Sequence, residues 1–277
     1  MIDAHCHWQH VLARDEAGDP VGETCLLERA ATAGITHIVT CACSVLDWTR
    51  IYVNHSRVKL LPQLGIHPWW AHEIEANDFE WLTRLRTLLV ANPTYGVGEI
   101  GLDKNRAKKI SMSHQSEIFC AQLRLAKELN RTCSVHCVNA FGPLLVFLKD
   151  ATTRSNLVMH SYSGSIETVR ELMKLNDWDV YFSVSAQCPN ALVIPHIPLD
   201  RLLIETDAPD QANTCSNLVS LSQVAPLGFN DCSQLALVAN RVAIATSMSV
   251  EEIKAVTSQN AIRAFQIQIY RLSRFSN

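Results

Sequence analysis

Short apolar, β-branched runs alternate with amphipathic stretches from one end of this chain to the other. The runs at 2–5, 37–41, 59–66, 95–99, 132–136, 156–160, 179–183 and 201–205 predict eight strands. They are apolar almost throughout, as expected of parallel strands covered on both faces. Between them, a helical period predicts helices over 23–33, 45–55, 78–91, 114–129, 141–150, 165–175 and 189–196. Two more, 233–246 and 250–266, follow the eighth strand. Ser249 precedes the second of these, with Glu252 three residues on, the signature of a capping box. Eight strands, each followed by a helix, predict an α/β fold of the TIM (β/α)8 barrel type, residues 1–277 forming a single domain with additional C-terminal helices. No repeat, low-complexity tract or linker interrupts the pattern.

Composition narrows the class. The 277 residues suit one barrel, and 48% hydrophobic content supplies a large core. A net charge of −3 argues against a globally basic surface for nucleic acid, so a polyanion would have to be held by local cations or metal ions. No apolar stretch is long enough to span a membrane, and the first residues read as a strand rather than a charged leader with an apolar core. The ten cysteines are scattered through a chain too large to need disulfides, and Cys41, Cys43 and Cys133 read as small buried residues. A reducing compartment is expected: cytoplasmic, or nuclear in a eukaryote.

The chemistry gathers at strand ends. His5 and His7 close the first strand and, two apart, point the same way while Cys6 faces the other. Glu99 closes the fourth, His136 the fifth, His160 the sixth, and Asp207 follows the eighth. All lie at C-terminal strand ends, the face where such barrels carry active sites. Each has a plainer reading: a hydrogen-bonded structural histidine, a loop cap for Glu99, an N-cap before Pro209 for Asp207. Burying four imidazoles and two carboxylates around one mouth is costly unless divalent cations offset it. The ligand set suits Zn²⁺ or Mn²⁺, and Mg²⁺ less comfortably. Six positions exceed one tetrahedral ion with an open site, whereas two ions about 3.5–4 Å apart use them all. Glu99 is then the bridge, His5, His7 and Asp207 hold one ion, and His136 and His160 the other. Asp207 is the candidate general base for a water.

With those residues placed, the chain resembles the TatD family of metal-dependent deoxyribonucleases. The motifs that carry the resemblance are D-A-H-C-H (3–7), L-G-I-H-P (64–68), G-V-G-E-I-G-L-D (96–103), the run 115–129, S-V-H (134–136), M-H-S-Y-S-G-S (159–165), R-L-L-I-E-T-D-A-P (201–209) and N-A-I-R-A-F (260–265). They span essentially the whole chain in order. The resemblance implies a (β/α)8 barrel, two divalent metals and phosphodiester hydrolysis, typically as a 3′→5′ exonuclease on DNA, without a membrane or obligate protein partner. Its ligands fall on His5, His7, Glu99, His136, His160 and Asp207, and His67 of the G-x-H-P loop is an expected substrate contact. Two departures stand out: Asn139 and Phe229 occupy positions where many members carry arginine, a residue suited to gripping phosphate. Arg106, with Lys104, Lys108 and Lys109, is placed to compensate, and the stretch 210–232 is expected to shape specificity. The alternatives are an amidohydrolase, esterase or phosphomonoesterase using the same site, and a non-catalytic scaffold. Zinc held by the pairs Cys41/Cys43 or Cys133/Cys137 is the weakest reading.

Overall fold

The computed structural model describes residues 1–17, 21–51, 56–75, 78–149, 154–188, 191–212 and 229–268. Eight parallel strands pair in chain order: β1 (Ile2–Cys6), β2 (His37–Cys41), β3 (Lys59–Leu64), β4 (Gly96–Asp103), β5 (Cys133–Val138), β6 (Ser155–Met159), β7 (Trp178–Val184) and β8 (Leu202–Ile204). Around them lie α1 (Trp8–Glu16), α2 (Glu23–Thr32), α3 (Glu80–Ala91), α4 (Met112–Glu128), α5 (Phe141–Leu148) and α6 (Ile166–Met173). The C-terminal pair is α7 (Leu235–Thr246) and α8 (Val250–Ala264), and Ser249 and Glu252 form the reciprocal capping box at the start of α8. None of the described helices is long and apolar enough to cross a membrane. The architecture is a TIM-type barrel.

Two buried layers follow from the strand alternation. Ala4, Val39, Val158 and Leu203 face inward and pack with Ala261 and Ala264 of α8 and with Phe265 at its C-cap. The larger layer lies between sheet and helices and includes Cys6, which therefore faces away from the barrel interior. Helix α8 is tied to strand beginnings: Thr132 donates to the Ala264 carbonyl at 2.7 Å, and Asn260 to the Leu202 carbonyl at 2.8 Å. With one end plugged in this way, the opposite end is left for chemistry.

The barrel closes between its first and last strands. Just past β8 the Asp207 N–H donates to the His5 carbonyl at 3.0 Å, and the His7 N–H to the Ala208 carbonyl at 2.8 Å. Asp3 reinforces this seam by accepting the Thr206 backbone N–H at 3.0 Å and its hydroxyl at 2.6 Å. Burial pushes the Asp3 carboxyl up to about 7, against those hydrogen bonds. The β1 ladder shifts register between Asp3 and Cys6, and the β4 ladder between Val97 and Ile100. Such irregularities re-aim side chains, and these two lie in the strands that bear His5 and Glu99.

Four local expectations are corrected. Residues 45–55 do not form a helix where described; only a 3₁₀ turn, Asp47–Thr49, appears, and 52–55 lie outside the described residues. There the Asp47 carboxylate takes the N–H groups of Cys43 and Ser44, at 2.8 and 3.1 Å, and forms a turn instead. The segment before β8 is a 3₁₀ helix, Ala191–His196, because Pro195 cannot sit in an α-helical interior; residues 189–190 lie outside the description. Helix α1 falls outside the predicted elements: its sequence, W-Q-H-V-L-A-R-D-E, buries polar Gln9 and Asp15 beside Trp8 and Val11, so the apolar period is broken. Strand β4 does not stop at Glu99 but continues to Asp103. Gly101 permits this: at φ +148°, a Cβ there would stand 1.9 Å from the His136 carbonyl oxygen on the neighbouring strand. Of the stretch 210–232, residues 213–228 lie outside the described residues.

The seam generates a stability prediction. Asp3→Ala leaves the buried Thr206 N–H unpaired and is expected to cost about 1–3 kcal/mol. Asp3→Asn keeps a carbonyl acceptor and is expected to cost less. Urea midpoints at unchanged m-value decide it; equal stability of Asp3→Ala and the native chain would mean that the seam does not depend on this contact.

Candidate metal centre

The centre is built around one side chain. Glu99, 1% exposed, projects from β4 among five imidazoles. Its Oε2 lies 3.3 Å from His5 Nε2 and 3.4 Å from His7 Nε2. Its Oε1 lies 3.0 Å from His136 Nδ1, 3.0 Å from His160 Nε2 and 3.2 Å from His67 Nε2. Asp207 Oδ1 completes the first group, 3.6 Å from His5 Nε2 and 3.5 Å from His7 Nε2. The two carboxylate oxygens thus face different sets of histidines. A cavity of about 660 Å³ opens above, bordered by His10, Trp69, Asn139, Gln187 and Asp210.

Behind most of these imidazoles stands a group that orients it. His7 Nδ1 lies 2.9 Å from the Cys41 carbonyl oxygen, and His5 Nδ1 lies 3.3 Å from Cys41 Sγ. His160 Nδ1 faces Glu205 Oε1 at 3.2 Å, and the same oxygen takes the Ser161 N–H at 2.6 Å. His136 Nε2 faces Asp103 Oδ2 at 3.5 Å, an oxygen that also accepts the indole N–H of Trp69 at 2.5 Å. Carboxylates and carbonyls behind imidazoles fix the tautomer and raise basicity, the usual support of metal-binding histidines. Asp207 sits at φ +52° on the seam and accepts the Gln211 amide at 2.5 Å.

Electrostatics follow from this crowding. Burial alone would raise the Glu99 carboxyl, but His160, His67 and His5 hold it well below the usual carboxylate range. Burial likewise works against a low value at Asp207, where His160, His7 and His5 prevail. Burial opposes a charged His160, yet Glu99, Glu205 and Asp207 push it well above the ordinary imidazole value. Burial, aided by His136 and His7 and opposed by Glu99, brings the His67 imidazole down to about 4. Among the described residues, Glu99 Oε1 and Asp207 Oδ1 are buried without a hydrogen bond of good geometry. His5 Nε2 and His7 Nε2 face each other at 3.4 Å, as do His136 Nδ1 and His160 Nε2. Converging lone pairs beside orphaned carboxylate oxygens need cations, and this nitrogen–oxygen donor set fits divalent metal ions. Groups such as His5–His7–Asp207 and His5–Glu99–His160 lie close enough together to hold one.

The structure brings His5, His7, Glu99, His136, His160 and Asp207 to one point. His67 lies deeper than a rim contact, against Glu99. Arg106 is elsewhere: its guanidinium stacks 3.8 Å over the Trp69 ring at the mouth. Asn139 borders the cavity and donates to Asn105 Oδ1 at 3.0 Å, and Phe229 packs partly buried against the core. Cys133 is buried in the sheet–helix layer, away from the centre, whereas Cys41 and Cys43 stand behind His5 and His7. Sequence reasoning missed Asp103, Glu205 and Gln211. The first two carried a signal, since Asp103 follows Glu99 by four and Glu205 precedes Asp207 by two, even spacings that share a strand face. Gln211, in a loop, carried none.

Known proteins show the same arrangement of chain. The family model described as TatD related DNase matches residues 2–266. A metal-dependent hydrolase of Bacillus subtilis, YabD, is 32% identical over 213 residues, 74% of this chain and 76% of that protein. The 3′-5′ ssDNA/RNA exonuclease TatD of Cronobacter sakazakii is 29% identical over 193 residues, 66% of this chain and 71% of its own length. The crystal structure of YjjV, a TatD homologue from Escherichia coli, superposes with a TM-score of 0.79 at 26% identity, covering 97% of this chain and 98% of that one. The chain belongs to the TatD family of metal-dependent hydrolases.

Proposed function

We propose that this chain hydrolyses phosphodiester bonds at a two-metal centre and acts on DNA as a 3′→5′ exonuclease. The observation that carries the reading is the division of Glu99, one oxygen toward His5 and His7 and the other toward His136 and His160. His5, His7, Asp207 and Glu99 would hold one ion, and His136, His160 and Glu99 the other. Bound there, a pair of Mg²⁺, Mn²⁺ or Zn²⁺ ions supplies a water of near-neutral pKa and a Lewis acid for the phosphoryl oxygen. Asp207 is the general base: its carboxylate is ionised and its Oδ2 is held by Gln211, leaving Oδ1 to take the water's proton. Arg106, fixed against Trp69, supplies positive charge at the mouth for a backbone phosphate. The polarity and the DNA substrate draw support from the Cronobacter relative's name. Asn139 and Phe229, which offer no forked cation, favour the second reading, a small ester or phosphomonoester as substrate.

Three experiments test this. Single-stranded DNA labelled at either end, incubated with EDTA or with each metal, is expected to give a metal-dependent ladder shortening from the 3′ end. Protein shown to hold two ions but inert on DNA would move the assignment to small esters. Glu99→Ala is expected to lose turnover and bound metal together while keeping the native circular-dichroism spectrum; near-normal metal-dependent activity would remove Glu99 from the bridge. Asp207→Asn is expected to keep part of the metal and lose about 10²–10⁴ in kcat, the usual worth of a general base. A loss under about tenfold would assign the proton to another group.

A further inference from the structure

We infer that Trp69 and Arg106 form a stacking surface for an unpaired nucleobase, which makes the end of a single-stranded polynucleotide the substrate this mouth is built to take. The inference rests on the phosphodiesterase reading above and names the substrate class of the same site. Four of the six tryptophans are buried: Trp8, Trp48, Trp81 and Trp178 expose 1–6% of their surface. Trp69 exposes 38% and borders the cavity above Glu99, with the half-buried Trp70 beside it at 17° between the ring planes. A single exposed apolar ring is ordinary on a protein surface. What sets this one apart is how firmly it is held. Its indole N–H donates to Asp103 Oδ2 at 2.5 Å, its backbone N–H donates to His67 Nδ1 at 3.1 Å, and the Arg106 guanidinium lies 3.8 Å over its face. An indole left in solvent yet fixed at its edge and its backbone is a preformed flat surface, with little side-chain freedom to lose on binding.

The surface lies within reach of the chemistry. The Trp69 ring centroid is 6.5 Å from that of His136 and 5.3 Å from that of His67, so a flat group stacked there lies beside the cluster around Glu99. A nucleobase joined to its phosphate through one sugar can occupy both places, whereas a small phosphate ester at Glu99 leaves the indole and the guanidinium without a partner. Every base has a π-face, and bases stack on aromatic rings and on guanidinium planes alike. In a duplex those faces are covered by neighbouring pairs, which selects unpaired ends. Charge agrees with this. Lys104 shares the 3₁₀ turn Lys104–Arg106, Lys108 and Lys109 follow it, and all three are exposed. The connection from β4 to α4 thus carries positive charge for phosphates further along the strand. The absence of arginine at 139 and 229 is answered here: the strand is gripped through a base and the cations of this connection, not through forked contacts at those two positions.

The test uses the metal-loaded chain and a labelled single-stranded oligodeoxynucleotide, intact or with an abasic tetrahydrofuran residue at one of the last two positions of the end that is trimmed. At one of these positions the abasic residue is expected to lower kcat/KM about 5- to 150-fold, the worth of one base stacked on an aromatic ring. Trp69→Phe and Trp69→Leu both remove the indole N–H from Asp103, so any effect relayed to His136 falls on both alike. Only phenylalanine keeps a π-face. Trp69→Phe is therefore expected to retain most of the discrimination between intact and abasic strands, and Trp69→Leu to lose it. A native chain indifferent to the missing base, or a Trp69→Leu variant that discriminates as well as native, overturns the inference. Should the native chain cut no DNA, the nuclease reading fails by itself, and stacking is read by calorimetric titration with deoxyadenosine 5′-monophosphate and deoxyribose 5-phosphate. Tighter binding of the nucleotide, abolished in Trp69→Leu, upholds the stacking surface; equal affinities overturn it.

Discussion

A carboxylate buried among five imidazoles cannot be left to chance, because each group that is not charge-matched or hydrogen-bonded costs free energy in a medium that solvates charge poorly. Glu99 is that carboxylate, and much of the barrel's upper end answers to it. Its ionised form is favoured by His160, His67 and His5, that of His160 by Glu99, Glu205 and Asp207, and that of Asp103 by His136, the Trp69 indole and the Asn105 N–H. Remove the central oxygen pair and the histidines repel one another with nothing between them. Divalent cations would complete what protein atoms leave undone at Glu99 Oε1 and Asp207 Oδ1.

The fold supports this arrangement by bringing distant sequence to adjacent strand ends. Eight short strands aim their last residues at one axis, so candidate ligands separated by two hundred positions in the chain become neighbours across the seam. That seam is polar rather than apolar: Asp3 holds Thr206, and main-chain bonds join His5 to Asp207. The same contacts that close the barrel therefore set the distance between His5 and Asp207, two of the groups facing Glu99. Stability and site geometry are not separable at this point of the molecule.

The eight strands could be read from the chain because buried parallel strands leave unmistakable apolar runs, and the six residues at their ends because polar groups stand out against such runs. What escaped reading shares a physical cause. Strand β4 carries three glycines and two acids, a composition that mimics a loop, yet its glycines are there because neighbouring backbone and side chains leave no room for a Cβ. Segment 45–55 has helical periodicity, but Asp47 folds back on the preceding amides and the turn takes precedence over the period. Asp103 and Glu205 sat in plain view on the right strand faces, hidden only because their partners are histidine nitrogens turned away from the centre. The position of His67 depended on a loop, where periodicity has nothing to say.

That loop joins the mouth to the centre through one residue. The Trp69 backbone N–H sets the tautomer of His67, its indole N–H holds the Asp103 oxygen that faces His136, and its ring face carries Arg106. Two of the five imidazoles and the Arg106 guanidinium thus take their orientation from a single tryptophan, itself 38% exposed at the cavity rim. A ligand pressing on that ring would disturb Arg106 directly and His136 and His67 at one remove. The arginines missing at 139 and 229 need not mean a weaker grip on an anionic substrate. In this chain the G-I-H-P-W-W loop carries both Trp69 at the cavity rim and His67 beside Glu99, so the rim and the histidine–carboxylate cluster are mechanically linked.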